Sequence, residues 1–238
     1  MAVSPSSCPQ LHSALSRTRL NLETIDVIYV HSAIKLAFYV YGTHERAMAA
    51  LQETFDFLEY ARAQNWIRYY GISSGDDEGI IAALDSPLHV HLEELVAMAE
   101  RARLRHGHAQ HGLRMVMFYF NVRNSRASGE ATQLVNGKLL TAFNAMQQLG
   151  IVPVPIRLLD PLLKKRKPLC PDHPALASLD AFEGSLVLSA SAVADRGVAV
   201  VGQGSIEHAR TNLKYMQLPL LSLEEVNDCV PKTELGLG

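Results

Sequence analysis

Cysteine, charge of one sign and long apolar runs are all scarce in this chain. Its three cysteines, Cys8, Cys170 and Cys229, are odd in number and widely spaced. That argues against a disulfide framework or a zinc site and points to a reducing compartment. The formal net charge is only −2, so the chain lacks the basic surface that nucleic acid or an anionic membrane attracts. No apolar run reaches the ~20 residues of a membrane helix. The first residues, MAVSPSSCPQ, carry neither the basic nor the apolar region of a secretory signal. A cytoplasmic address, without nucleic-acid or membrane partners, is the expectation. His106, His108 and His111 are close in sequence, but no cysteine or acidic residue joins them at ligand spacing, so no metal site is expected.

What is present is an ordinary globular composition: 238 residues, 48% hydrophobic and 19% charged. Such a chain can bury a sizeable core. Short β-branched runs alternate with helical patterns. The runs are IDVIYVHSA from Ile25, IRYYGISSG, LRMVMFYFN from Leu113, GIVPVPI and GVAVVGQG. Helical patterns are expected around Gln10–Leu22, Thr43–Ala63, Asp76–Leu84, Leu92–Leu104, Leu139–Leu149, Leu176–Asp195, Ser205–Met216 and Ser222–Asp228. In Thr43–Ala63, Leu51, Phe55, Leu58 and Ala61 recur at helical spacing, and Asn65 suits the boundary because Asn tolerates the left-handed conformation. The stretch RNSRASGEAT is expected as a polar loop. Pro153 and Pro155 make the fourth run a poor central strand. Strands alternating with helices imply a parallel sheet built from five βα units.

Residues at the C-terminal ends of parallel strands face the ligand site. His31 ends the first strand; a functional role and a histidine satisfied by a neighbouring carbonyl are both open. Ser73 and Ser74, in GISSG, end the second, as hydrogen-bond donors to a ligand amide or as an ordinary turn. The segment GQGSIEHARTN, Gly202–Asn212, follows an apolar strand and opens a helix. Gly202, Gly204 and Ser205 there make a nest for a phosphate at a helix N-terminus, and Arg210 adds charge; the alternative is a glycine turn capped by Ser205. Glu207 stands where a Rossmann fingerprint has its third glycine, whereas a phosphate site after the last strand suits a (β/α)8 barrel. The basic run Lys164–Lys167 reads as a solvated loop, and Phe118–Phe120 as core.

These segments together resemble the aldo-keto reductase superfamily. SALSRTRLNLETIDVIYVH is similar to a family segment in which Ser16, Leu20, Asp26 and His31 fall in register. LQETFDFLEYARAQNWIRYYGISS, AFNAMQQLGI and VVGQGSIEHARTNLKYMQLPLLSLEE follow in the family's order, and the last keeps its spacing from Gly202 to Asn212. The resemblance implies a TIM-type (β/α)8 barrel that binds NADP(H) in an extended pose and reduces aldehydes or ketones by hydride transfer. It places His31 on the family's carbonyl-orienting histidine, and Ser73, Ser74, Gly202, Gly204, Ser205, Arg210 and Asn212 on the cofactor side. The family's other three catalytic groups, an aspartate, a tyrosine and a lysine, come from upstream strands. The thirty residues before His31 contain no lysine, and their only aspartate and tyrosine are Asp26 and Tyr29. Ser74, Met117, Ile156 and Thr211 also depart from common family residues.

The expectation is thus a single partial barrel over residues 13–238, about five of eight βα units with the first three missing, behind a poorly ordered segment 1–12. Five strands cannot close as eight do. Open strand edges and interior apolar side chains would be exposed, so poor solubility alone is expected unless an oligomer or partner chain covers them. Two functions follow: an NADP(H)-dependent carbonyl reductase, shortened or incompletely given, that is inactive as written; or a non-catalytic nucleotide-binding or protein-interaction module.

Overall fold

The computed structural model of the chain describes residues 16–75, 78–121, 124–159 and 170–229. Strand β1 (Ile25–Val30) is followed by helices α1 (Ala33–Tyr41) and α2 (His44–Ala63). Next come β2 (Ile67–Ser73), α3 (Leu92–Arg105) and β3 (Leu113–Tyr119). A short helix α4 (Arg126–Gly129) leads to β4 (Ala131–Val135), β5 (Lys138–Thr141), α5 (Ala142–Gln148) and β6 (Val152–Ile156). The last elements are α6 (Ala181–Val193), α7 (Ile206–Met216) and α8 (Leu223–Cys229). The main sheet has the order β1-β2-β3-β6, every pair parallel. No described helix is long and apolar enough to cross a membrane.

Local chemistry explains the first half of this layout. Thr43 caps α2, its hydroxyl accepting from the Arg46 amide at 3.4 Å. The helix buries Leu51, Phe55 and Leu58, the face that the spacing marked. It stops at Asn65, whose φ of 57° is the left-handed conformation expected there. Phe55 packs on Tyr70 of β2 with ring centroids 5.4 Å apart. Phe118 and Phe120 both pack on Phe143 of α5, at 5.5 and 5.2 Å. Alternation therefore turns Tyr119 to the opposite, inner face of the sheet. Tyr29 lies on that inner face too. It crosses Gly71, where a Cβ would stand 2.6 Å from its ring, and donates to Met115 Sδ at 3.0 Å. Tyr29, Met115, Met117 and Tyr119 are only partly buried, as an arc of a barrel without its opposite wall requires.

One end of the sheet holds a buried carboxylate. Glu59 of α2 is fully buried and accepts from the Tyr70 hydroxyl at 2.9 Å, from the Gly112 amide at 2.6 Å and from Arg62 Nη1. Burial, and then Glu59, push the Tyr70 hydroxyl pKa well above its ordinary value. A buried charge is tolerable when paired and hydrogen-bonded on every side, and here it joins α2 to β2 and β3.

Five expectations change. The stretch after Gly75 is not a helix in its described part: Gly79 has φ 66°, donates to Leu88 O at 2.9 Å, and the loop folds back while burying Ile80 and Ile81. Between the expected loop RNSRASGEAT and α5, and running into the start of the expected helix at Leu139, lies a hairpin, β4–β5, turned by Asn136 and Gly137 with φ of 49° and 75°. Asn-Gly is the residue pair that such a turn selects. Gln133 of β4, fully buried, donates to Ile80 O and accepts from Leu92 N, tying the hairpin to that loop and to α3. An additional helix, α1, follows His31.

Fourth, β6 is not an edge despite its prolines. The carbonyls of Pro153 and Pro155 accept from Val198 and Val200, each at 3.0 Å, so an extended segment 197–201 forms the fifth position in the arc. The prolines occupy the positions facing that segment, while the Ile156 carbonyl faces β3 and accepts from Phe120 N at 3.1 Å. Proline thus removes only the return bonds to the last position, and that position is half-laddered. Fifth, Cys170 and Cys229, 59 residues apart, form a disulfide. Spacing along the chain concealed it; α8 folds against α6 and brings Cys229 to Cys170. Closing a loop of that length is worth roughly 4 kcal/mol in the chain-entropy account. Cys8, Lys164–Lys167 and the segment 1–12 lie outside the described residues.

Candidate ligand site at the strand ends

His31 stands just past the end of β1, exposed, where Ser32 takes a left-handed φ of 46° before α1 begins. Ser73 is the last residue of β2, on the inner-face row of Gly71, and is 3% exposed. Ser74 points the other way. Its amide donates to Met117 O at 2.8 Å, but its hydroxyl is buried without a partner, and a Cβ on Gly79 would lie 2.4 Å from it. Sequence could not separate these two serines; the strand's alternation does. Glu78, nearly fully buried, holds the turn by accepting from the Gly75 amide and, at 2.6 Å, from the Lys35 amide in the first turn of α1.

The Gly202–Asn212 segment lies at the far side of the arc, after the fifth strand position. Ser205 caps α7, accepting from His208 N at 3.1 Å. Asn212 is 3% exposed and its side-chain amide donates to Gly202 O at 3.2 Å, fixing the loop against the helix. Gly202 and Gly204 are exposed, with no atom closer than 4.0 Å to a Cβ placed on either, and Arg210 is exposed. His31, Ser73 and this loop thus share the C-terminal edge of one parallel sheet. With neighbouring strands ~4.8 Å apart, the first and fifth positions are separated by roughly 15–20 Å, so the set describes an extended mouth rather than one compact centre.

A pocket of about 350 Å³ opens between the last two positions of the arc, lined by Ile156, Arg157, Leu158, Leu159, Val200, Val201 and Gly202. Arg157 was not singled out in the sequence. It has φ 61°, its carbonyl accepts from Asn121 Nδ2 at 2.9 Å, and its guanidinium lies 5.5 Å from the Tyr119 ring centroid. A cation directly after a β-branched run was the available signal.

Other titratable groups lie elsewhere. Asp26, at the start of β1, pairs with Arg68 at 3.0 Å, both exposed. Burial raises the Tyr29 pKa, and its hydroxyl is held on Met115 rather than at the mouth. Among the loop histidines, His108 reaches Glu59 O at 3.0 Å and His111 is buried beside Arg114, both at the opposite end of the sheet. His89 and His91 face each other at 3.4 Å beside α3.

The sequence matches no family model and no curated protein. Solved structures do match. The holo form of aldo-keto reductase AKR11C1 from Bacillus halodurans is 17% identical with a TM-score of 0.57, over 96% of this chain and 68% of that one. Its apo form is 16% identical with a TM-score of 0.56, over 94% and 67%. A putative 2,5-diketo-D-gluconic acid reductase B is 12% identical with a TM-score of 0.52, over 94% and 63%. This chain therefore spans about two thirds of the length of the barrels it resembles. At such identity the likeness concerns the fold, and the fold is that of the aldo-keto reductase (β/α)8 barrel, present here as a five-position arc.

Proposed function

We propose that this chain is the cofactor-holding part of an NADP(H)-dependent reductase of small aldehydes or ketones, and that alone it binds the dinucleotide without turnover. The observation that carries this reading is positional: His31, Ser73 and Gly202–Asn212 stand at one edge of one sheet, in the order the sequence resemblance requires. The residues present suit the group. Open space at Gly202 and Gly204 adjoins the first turn of α7, where the amides of Ile206 and Glu207 precede the capped His208 and a phosphate is favoured. Arg210 adds a nearby exposed positive charge, and the Ser73 hydroxyl is the donor for a carboxamide. When bound, the dinucleotide supplies the hydride. His31 orients the carbonyl by a hydrogen bond to its oxygen. Ser74 has no part in this, because its hydroxyl is turned into the loop.

Turnover is not expected from the described residues, since Asp26 and Tyr29 are both committed elsewhere. A placed proton donor is typically worth ~10²–10⁴-fold. Fluorescence titration with NADPH tests the reading: saturable binding, weakened in R210A, with no NADPH consumed on adding an aromatic aldehyde. A flat titration with folded protein overturns it. A second reading, an interaction module, rests on β1 having no partner on its outer side among the described strands, and on Leu36, Tyr39 and Val40 standing exposed on α1. A stable dimer by light scattering that ignores NADPH favours that one. The proposed address is the cytoplasm, although a disulfide such as Cys170–Cys229 is uncommon there.

A further inference from the structure

We propose that Arg157, seated on the inner-face residue Tyr119, is an oxyanion-binding residue at the barrel mouth, across a shared pocket from Gly202. The inference deepens the nucleotide reading by adding an anionic contact, yet its test stands without that reading. Four observations carry it. First, Arg157 holds a left-handed φ of 61°, a conformation that disfavours any residue with a Cβ and that glycine or asparagine fills more readily. The turn is nevertheless built firmly, with Asn121 donating to the Arg157 carbonyl at 2.9 Å.

Second, Arg62, Arg68, Arg103, Arg105 and Arg126 each pair with a carboxylate. No described carboxylate pairs with Arg157, whose guanidinium contacts the Tyr119 ring face at 5.5 Å. Third, stacking on Tyr119 draws the guanidinium across from the end of β6 to the end of β3, over the inner face where ligands enter such barrels. A guanidinium held over an aromatic ring by cation–π attraction presents its N–H donors in a fork that matches phosphate or carboxylate oxygens. Fourth, among the described residues Arg157 is the charged one on the wall of the 350 Å³ pocket, whose other described lining is Ile156, leucines, valines and Gly202. Arg157 is itself exposed, so an anion at the pocket mouth reaches its donors directly.

The shared chemistry is an oxyanion, which could be a phosphate of the dinucleotide or an acidic group on the carbonyl substrate. Calorimetric titration of the whole chain with inorganic pyrophosphate tests the site, comparing wild type with R157G and R157K. Glycine suits a φ of 61°, so R157G should melt at or above the wild-type temperature. A loss of binding in R157G is then a loss of the guanidinium and not of the fold. Expected is pyrophosphate binding weakened about tenfold in R157G, the scale of one charge-assisted hydrogen bond, and partly restored in R157K, which keeps a point charge without the fork. Repeating the titration with NADPH present identifies the source. Competition assigns the site to a cofactor phosphate, and simultaneous binding assigns it to a substrate acid group; either supports the oxyanion site. Pyrophosphate binding equal in wild type and R157G, or none in wild type, overturns it. Should the chain fail to bind NADPH while pyrophosphate binding still depends on Arg157, the nucleotide reading fails and this one survives.

Discussion

The two ends of the parallel sheet are built on opposite plans. At the N-terminal ends of β2 and β3, Glu59, Tyr70, Arg62 and Gly112 form a buried set whose hydrogen bonds close on one another. At the C-terminal ends, His31, Gly202, Gly204 and Arg210 are exposed, the Ser74 hydroxyl is buried without a partner, and two residues with side chains, Ser32 and Arg157, hold left-handed backbone. Left-handed residues occur at the other end too, but there Asn65 fills the position at little cost; Ala194, in the turn before the fifth strand position, is an exception. One end is arranged for stability and the other leaves groups unspent, the division that barrel folds make between their two faces.

Breaking the stable end should have the largest effect. Glu59→Ala strands the Tyr70 hydroxyl, the Gly112 amide and the Arg62 charge together, and is expected to cost about 3–5 kcal/mol in urea unfolding. A loss under 1 kcal/mol would mean that the cluster matters little. A smaller effect separates the two ends by pH. Burial lowers the pKa of His111, at the stable end, and of His89, from the ordinary 6.5. The native state therefore binds fewer protons than the unfolded chain as pH falls below 6.5, and stability should decline from there downward with no such change above it. The urea midpoint should drop between pH 7.5 and 5.5, and drop less in His111→Gln; equal drops would remove His111 from the account. The smallest effect belongs to the mouth. Ser74→Ala deletes a hydroxyl that bonds to nothing, so thermal melting should be unchanged or raised by the equivalent of about 1 kcal/mol. A marked loss of stability would mean that the hydroxyl has a partner after all.

Much of the fold was legible because it rests on local chemistry. The α2 helix was readable from Leu51, Phe55 and Leu58, with Thr43 and Asn65 as its limits. Helix α7 was readable from Ser205, and the parallel sheet from β-branched runs alternating with helical patterns. The hairpin at Asn136–Gly137 was legible in principle, since Asn-Gly stands there between Leu134–Val135 and Leu139–Leu140. Gly79 broke a helical pattern that hydrophobic spacing supported, because a buried loop anchored by Ile80 and Ile81 outweighed local propensity.

What the sequence by itself determined is the alternation of the main strands and helices and the ends at which His31, Ser73 and Gly202–Asn212 stand, since periodicity, caps and breakers act over a few residues. What only the tertiary structure decided are relations between distant residues. These include the disulfide between Cys170 and Cys229 and the tolerance of Pro153 and Pro155 in a paired strand. They include as well the turning of Ser74 away from the mouth and the stacking of Arg157 on Tyr119. Each depends on which strand lies beside which and on which face a side chain takes, and no short window of sequence contains that information.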